Sequence, residues 1–187
     1  MITGHFGIAA GVRSQSRAPM GSVLFLALLG AAVLPDAMDA LYWVINLCSP
    51  YGLYSHTLYA VVLEAAVVGG AVFLLTGSRA VTLMFVVVVL LHSPADFFTG
   101  RKLFIPGDDL LGLRFYDRPV LDWLLEVPVA IVGWWMLRRS GRGPRWATSV
   151  WALALMVATQ TTFDVLSTGQ RSLKPNRCAV VSSPADF

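Results

Sequence analysis

The sequence predicts an all-α, polytopic membrane protein folded as a helical bundle. Of its 187 residues, 56% are hydrophobic and only 13% are charged, whereas soluble domains carry about 25% charged residues. The mean hydropathy is +0.67, and several stretches approach the roughly 20 apolar residues that a helix needs to cross a bilayer. We therefore expect about five transmembrane helices in one integral-membrane domain over residues 1–170, followed by a flexible tail over 171–187.

An N-terminal half-helix is expected before the first span. The segment ITGHFGIAAGV is apolar but too short to cross a bilayer, and RSQSRAPMG after it has the polar, proline and glycine content of a turn. Arg13 and Arg17 before an apolar run also fit a signal peptide, but the further spans argue against cleavage. The expected spans are 21–46, 57–76, 80–98, 119–137 and 146–167.

Arginine placement predicts the orientation of the bundle. The two sets of loops carry equal numbers of basic residues, but one set lies in short loops beside helix ends, where the positive-inside rule works best. These residues are Arg13, Arg17, Arg79, Arg138, Arg139, Arg142 and Arg145. We expect them in the cytoplasm of a multi-pass protein of the inner (plasma) membrane. The longest connection, over 99–118, is expected to lie on the opposite surface as a cap.

Charge and cysteine content limit the expected partners. The net charge is only +3, and the basic residues lie in loops and form no face for a phosphate backbone, so no nucleic acid partner is expected. Cys48 and Cys178 are too few and too far apart to predict a disulfide framework or a thiolate metal site, and we expect free thiols. The bilayer is the expected surrounding, and no pattern specifies an oligomeric state.

Ionisable residues collect at one level of the predicted bundle. An up, down, up path of the first three spans brings their polar ends to one membrane face, and the half-helix adds a histidine if it starts there. The residues at this level are His5, Asp36, Asp39, His56, His92 and Asp96. Ionised groups in lipid cost a few kcal/mol each and are expected to be paired, protonated or bound to a cation.

The residue types and spacings suit a divalent metal. Asp36 and Asp39 at i and i+3, and His92 and Asp96 at i and i+4, project from shared helical faces. Imidazole with carboxylate suits zinc, manganese or iron, and a set this large has room for one or two ions. Either Asp36 or Asp39, if not a ligand, is expected to act as a general base. Pro94 leaves two readings open, a distorted third span or a new short helix capped by Ser93.

Four motifs in order resemble those of the YdjM-type membrane-bound metal-dependent hydrolases. They are GH at 4–5, LLGAAVLPDAMD at 28–39, YSHTL at 54–58 and LLHSPADFFTG at 90–100. Their order is also similar to part of the ligand set of zinc-dependent phospholipase C. The resemblance covers about the first 100 residues and implies a phosphoesterase-like site with metal ligands among the six residues above. The wider spacing in PDAMD makes Asp39 a weaker ligand than Asp36, and the later ligands of the phospholipases are missing.

The leading expectation is therefore an enzyme, a metal-dependent hydrolase acting on a phosphoester or another ester of a lipid or amphiphile. A transporter is the first alternative, in which the same cluster conducts protons or metal ions and Glu64 and Glu126 continue the path deeper. A membrane-anchored regulatory binding protein is the second, with the basic segment RRSGRGPR as its docking surface.

Overall fold

The computed structural model describes residues 2–170 except 48, 50, 51 and 107, and the regular secondary structure of these residues is helical. Within them the β contribution is one isolated antiparallel bridge between Lys102 and Leu111. The predicted tail over 171–187 and both cysteines lie outside these residues. The helices are α1 (Ile2–Gln15), α2 (Ser22–Ala32), α3 (Leu34–Val44), α4 (Leu58–Thr76), α5 (Arg79–Leu90), α6 (His92–Thr99), α7 (Pro119–Ser140) and α8 (Val150–Gln170).

Three helical stretches are long and apolar enough to cross a membrane, or four if a bent pair counts as one span. They are α4, the nearly continuous α5 and α6 over Arg79–Thr99, and α7, and the bent pair is α2 with α3. The expectation of about five spans is not confirmed, because the apolar part of α8, Val150–Leu166, is shorter than these helices. Large apolar side chains on α4, such as Leu74 and Leu75, are more than 80% exposed, as expected of a surface that faces lipid.

The predicted first span is broken into two helices. A bend of 67° separates α2 from α3, and Val33 is the residue between them. Pro35 lies in the first turn of α3. Proline has no N–H to continue the preceding helix and its ring clashes with the carbonyl four residues back, whereas it is tolerated in a first turn. Asp36 therefore belongs to a separate short helix and not to the later half of a straight span.

The proline of the third span has a similar effect with less bending. Leu91 interrupts the helix, α6 begins at His92, and Pro94 occupies its first turn. The reading with a new short helix is therefore correct, although Ser93 lies inside that helix and does not cap it. His92 and Asp96 consequently share one continuous helical face.

The half-helix α1 lies inside the bundle. It packs most extensively against α7, and Gly7 faces Gly133 so closely that a Cβ on either glycine would overlap backbone of the other helix. Small residues allow such backbone approach between membrane helices. The close packing of α1 holds His5, which is only 1% exposed, in the interior of the protein.

The connection between α6 and α7 is tied to the ends of two helices. The Leu58 N–H at the start of α4 donates to Phe104 O at 2.8 Å, and the Leu113 N–H donates to Phe97 O of α6 at the same distance. Lys102 and Leu111 exchange two backbone hydrogen bonds of 2.9 and 3.0 Å. These bonds hold the connection, residues 100–118, beside the C-terminal end of α6, near Asp96. We call this connection the pinned loop.

Candidate metal centre

Four side chains from three parts of the chain converge to form a candidate metal centre. Asp36 comes from α3, His56 from the turn before α4, and His92 and Asp96 from α6. One ligand atom from each lies within 4.8 Å of the other three. His56, His92 and Asp96 are at most 1% exposed, whereas the Asp36 side chain is 27% exposed. The centre is therefore buried and opens on the side of α3.

Five of the six distances between the four ligand atoms lie close to the edge length of a tetrahedral metal site. From His56 Nε2 the distances are 3.3 Å to Asp36 Oδ1, 3.1 Å to Asp96 Oδ2 and 3.3 Å to His92 Nε2. From His92 Nε2 they are 3.8 Å to Asp36 Oδ1 and 3.4 Å to Asp96 Oδ2. A tetrahedron of ligands at zinc distances of about 2.0–2.1 Å has edges of about 3.3 Å. The side chains thus fit a small divalent ion at their centre.

Hydrogen bonds on the far side of each imidazole orient its Nε2 towards this centre. His92 Nδ1 lies 2.9 Å from Ala32 O, and because a carbonyl only accepts, Nδ1 carries the proton. The Ser55 hydroxyl donates to Asp39 Oδ1, so its oxygen accepts from His56 Nδ1–H at 2.7 Å. Both Nε2 atoms then present lone pairs to the centre, which is how metal-binding histidines are commonly held.

Gly52 makes room for the His56 ring. It has a φ of +78°, and an added Cβ would lie 2.8 Å from His56 Nδ1. Its carbonyl accepts the His56 N–H at 2.7 Å. A side chain at this position would meet both backbone strain and the ring itself, so the turn before α4 depends on glycine to place His56.

The other two predicted ligands lie next to this group and not within it. His5 stacks on the His92 ring at 4.0 Å, and its Nε2 is 3.7 Å from Asp96 Oδ1, the oxygen turned away from the four-atom group. Asp39 Oδ2 is 3.4 Å from His56 Nδ1. Both residues therefore contact a ligand and orient it, although the sequence alone had them as ligands.

Lys102 is a further member of the site, and no motif in the sequence predicted it there. Its Nζ lies 3.2 Å from His56 Nε2, 3.6 Å from Asp39 Oδ2 and 4.0 Å from Asp96 Oδ2. Its position 46 residues from His56 gave no pattern that links the two. The pinned loop brings them together, and only the tertiary fold reveals this contact.

The electrostatics of the centre favour bound positive charge. Burial lowers the pKa of His56, but hydrogen bonds to Asp36 and Asp96 outweigh it and raise the pKa above its ordinary value. The three carboxyl groups of Asp36, Asp39 and Asp96 face a single lysine, Lys102, at this centre. A bound cation would offset negative charge that is costly to bury unpaired.

A second polar cluster is buried between α1, α7 and α8. Gln160 Nε2 donates to Asp164 Oδ2 at 3.1 Å and to Asp122 Oδ2 at 3.4 Å. The Thr3 hydroxyl lies 3.1 Å from Glu126 Oε2 and 2.7 Å from Gln160 Oε1. Of these carboxylates, the sequence singled out Glu126 as a deeper group, and no pattern in it predicted Thr3 and Gln160 as neighbours.

Comparisons with known proteins add no relative. No protein-family model matches the chain, and no curated protein or solved structure is significantly similar to it. The resemblance to YdjM-type hydrolases therefore stays a prediction that depends on four short motifs.

Replacing Ser55 by alanine tests the hydrogen bonds that orient His56. Ser55→Ala removes the link between His56 Nδ1 and Asp39, and loss of such a partner typically lowers metal affinity about 10- to 100-fold. Competition with a chelating dye measures the zinc affinity of the detergent-purified protein. Ser140→Ala, which removes a hydroxyl that donates to Leu137 O and accepts from the Arg142 N–H at the end of α7, is the control. An unchanged zinc affinity in Ser55→Ala would show that Ser55 does not orient a ligand.

Proposed function

We propose that the protein is a membrane-embedded, metal-dependent hydrolase that acts on a phosphoester or another ester of a lipid or amphiphile. The observation that carries this proposal is the near-tetrahedral group of Asp36, His56, His92 and Asp96. A hydrogen bond at Nδ1 orients each imidazole in this group. The resemblance of the surrounding motifs to YdjM-type hydrolases supports the same reading. We further propose that the site lies on the extracytoplasmic side of the plasma membrane.

Zinc is the metal that these donors suit best, with manganese or iron as alternatives. Two imidazole nitrogens and two carboxylate oxygens at tetrahedral spacing are typical of zinc, whereas manganese prefers more oxygen ligands. A bound ion of this kind supplies Lewis acidity and lowers the pKa of a water molecule towards 7. The four ligand atoms suffice for one ion.

The proposal assigns Asp39 the role of general base and Asp36 that of metal ligand. Asp36 Oδ1 points at both Nε2 atoms, whereas Asp39 Oδ2 faces the other nitrogen of His56 at 3.4 Å. The Asp39 side chain is 28% exposed, so water and substrate can reach it. The Ser55 hydroxyl donates to Asp39 Oδ1, so Asp39 Oδ2, which lies 3.6 Å from Lys102 Nζ, is the oxygen that would accept a proton during hydrolysis.

Replacing Asp39 by asparagine distinguishes a loss of turnover from a loss of bound metal. The amide keeps the shape but does not accept a proton, and general bases contribute about 10²- to 10⁴-fold to rate. We expect Asp39→Asn to retain bound zinc and to lose at least about 100-fold in turnover. The measurement is release of nitrophenol from p-nitrophenyl phosphate and its diester, beside a short-chain carboxyl ester.

Asp109→Asn, an exposed aspartate in the pinned loop, is the control and should keep wild-type turnover. If zinc-loaded wild type hydrolyses none of the three ester classes, the hydrolase proposal fails. If Asp39→Asn keeps full turnover, Asp39 is not the base.

A transporter is the second candidate, and the buried cluster of Asp122, Glu126 and Asp164 favours it. These carboxylates are at most 8% exposed, and Gln160 connects two of them. Intramembrane carboxylates commonly mark ion or proton paths. Zinc and proton flux into proteoliposomes, with Asp122→Asn as the variant, tests this candidate. Flux that requires both Asp122 and Asp96 would favour transport over hydrolysis.

A further inference from the structure

We propose that Lys102 is the anion-binding residue of the site and that it selects substrates whose reacting group carries a charged phosphoryl oxygen. The proposal rests on the hydrolase function above and narrows its substrate class from esters in general to phosphoesters. The contacts, the exposure and the charge of Lys102 each support it.

The position of Lys102 gives it access to both metal ligands and substrate. Its Nζ reaches His56 Nε2 at 3.2 Å and Asp39 Oδ2 at 3.6 Å, yet its side chain is 18% exposed. The buried ligand Asp96 is only 2% exposed at its side chain. Lys102 thus lies on the more exposed side of the centre, with Asp36 and Asp39, whose side chains are 27% and 28% exposed.

Backbone hydrogen bonds of the pinned loop fix the position of Lys102. Lys102 is bonded through both its N–H and its carbonyl to Leu111. The neighbouring Arg101 side chain instead donates to Leu110 O at 3.1 Å, and Arg114 pairs with Asp117 at 2.8 Å. Among the lysine and arginine side chains of the described residues, Lys102 is the one whose charged group lies within 4 Å of Asp39 and Asp96.

A metal in the centre would free the ammonium group for a substrate. His56 Nε2 has a single lone pair, so it can bind a metal or accept a hydrogen bond from Lys102, but not both. An ammonium group has three N–H donors, and with the metal bound Asp39 would remain as its neighbour. At least one donor would then point into the open side of the site.

A phosphoryl group provides an acceptor that a neutral ester lacks. Its non-bridging oxygens carry negative charge, so one can face the metal while another accepts from Lys102, and lysine is a common phosphate binder. A carboxyl ester offers only one carbonyl oxygen for both cations. The pair of positive groups on the open side therefore favours phosphoesters.

The test uses Co²⁺ in place of zinc, because its visible absorption reports ligands that join the metal. We titrate Co²⁺-loaded protein with inorganic phosphate and compare Lys102→Met, Lys102→Arg and the control Arg101→Met. Loss of a charged hydrogen bond weakens binding by about tenfold or more. We expect that loss in Lys102→Met, substantial recovery in Lys102→Arg, and wild-type behaviour in Arg101→Met.

Metal affinity separates this role from a structural one. Lys102→Met removes a cation that competes for His56, so we expect Co²⁺ to bind at least as tightly as in wild type. A side chain that only supported the fold would lose metal and phosphate affinity together, and that result would overturn the proposal. Phosphate binding of equal strength in Lys102→Met and wild type would overturn it as well.

Two further results identify the source of the phosphate group and distinguish failure of the Lys102 proposal from failure of the hydrolase proposal. Titration with dihexanoyl phosphatidate beside inorganic phosphate distinguishes a lipid headgroup from a free anion, and dependence on Lys102 in either titration supports the proposal. Wild type that binds Co²⁺ but shows no response to either ligand overturns the Lys102 proposal alone. Wild type that binds no Co²⁺ overturns the proposed hydrolase function, and this inference with it.

Discussion

Replacing His92 and Asp96 together by alanine is expected to abolish metal binding. The substitution removes two of four ligand atoms, Nε2 and Oδ2, which lie 3.4 Å apart at the centre. Elemental analysis of detergent-purified wild type should give about one zinc ion per chain, in keeping with a single four-ligand site. The double variant should fall to background.

Thermal unfolding provides a second readout of the same prediction. A ligand that binds only the folded state at 100 times its Kd adds about 2.7 kcal/mol to stability. Zinc should therefore raise the melting temperature of wild type and leave that of the double variant unchanged. The same experiment on Asp108→Ala with Asp109→Ala, two exposed carboxylates of the pinned loop, controls for general loss of negative charge. Equal metal content in wild type and the His92/Asp96 variant would remove the basis of the proposed chemistry.

Replacing Gly133 by alanine is expected to destabilise the bundle strongly. The new Cβ would overlap Gly7 O and lie 2.7 Å from Gly7 Cα, so α1 and α7 would have to move apart. Overpacking of this kind costs about 1–3 kcal/mol. Glycine to alanine in an open helix position has the opposite sign, because alanine is favoured by about 1 kcal/mol.

Gly70→Ala is the matched control, since a Cβ there meets no atom within 4 Å. The measurement is the free energy of unfolding in mixed micelles titrated with a denaturing detergent. We expect Gly133→Ala to unfold at a lower detergent fraction than wild type and Gly70→Ala to unfold at the same fraction or a higher one. Similar midpoints for the two variants would contradict the close contact of α1 and α7.

Much of the candidate site could be predicted because its residues are rare in their surroundings. Histidine and aspartate are costly within apolar helices, so Asp36, His92 and Asp96 stand out without any tertiary information. Helix periodicity also paired His92 with Asp96 correctly. The common level of the three histidines followed from counting apolar stretches, which depends only on length and hydropathy.

The assignment of roles within the site could not be predicted from spacing. Asp36 and Asp39 are equivalent by residue type, yet one faces His56 Nε2 and the other His56 Nδ1. The direction of α3 after the bend at Val33 decides this difference. His5 was grouped with the ligands by its level and by the GH motif at 4–5, and its stacking on His92 depends on how α1 packs against α7.

The amino-acid sequence by itself determined the helical class, the apolar stretches and the chemical types available for a metal, because these depend on local composition and period. The tertiary structure alone decided that four ligand atoms meet within 4.8 Å of one another, that α2 and α3 form a bent pair, and that Lys102 reaches the centre from a distant loop. Contacts between distant residues depend on how helices cross and where loops are tied. These arrangements follow from the packing of the whole chain, which no local pattern encodes.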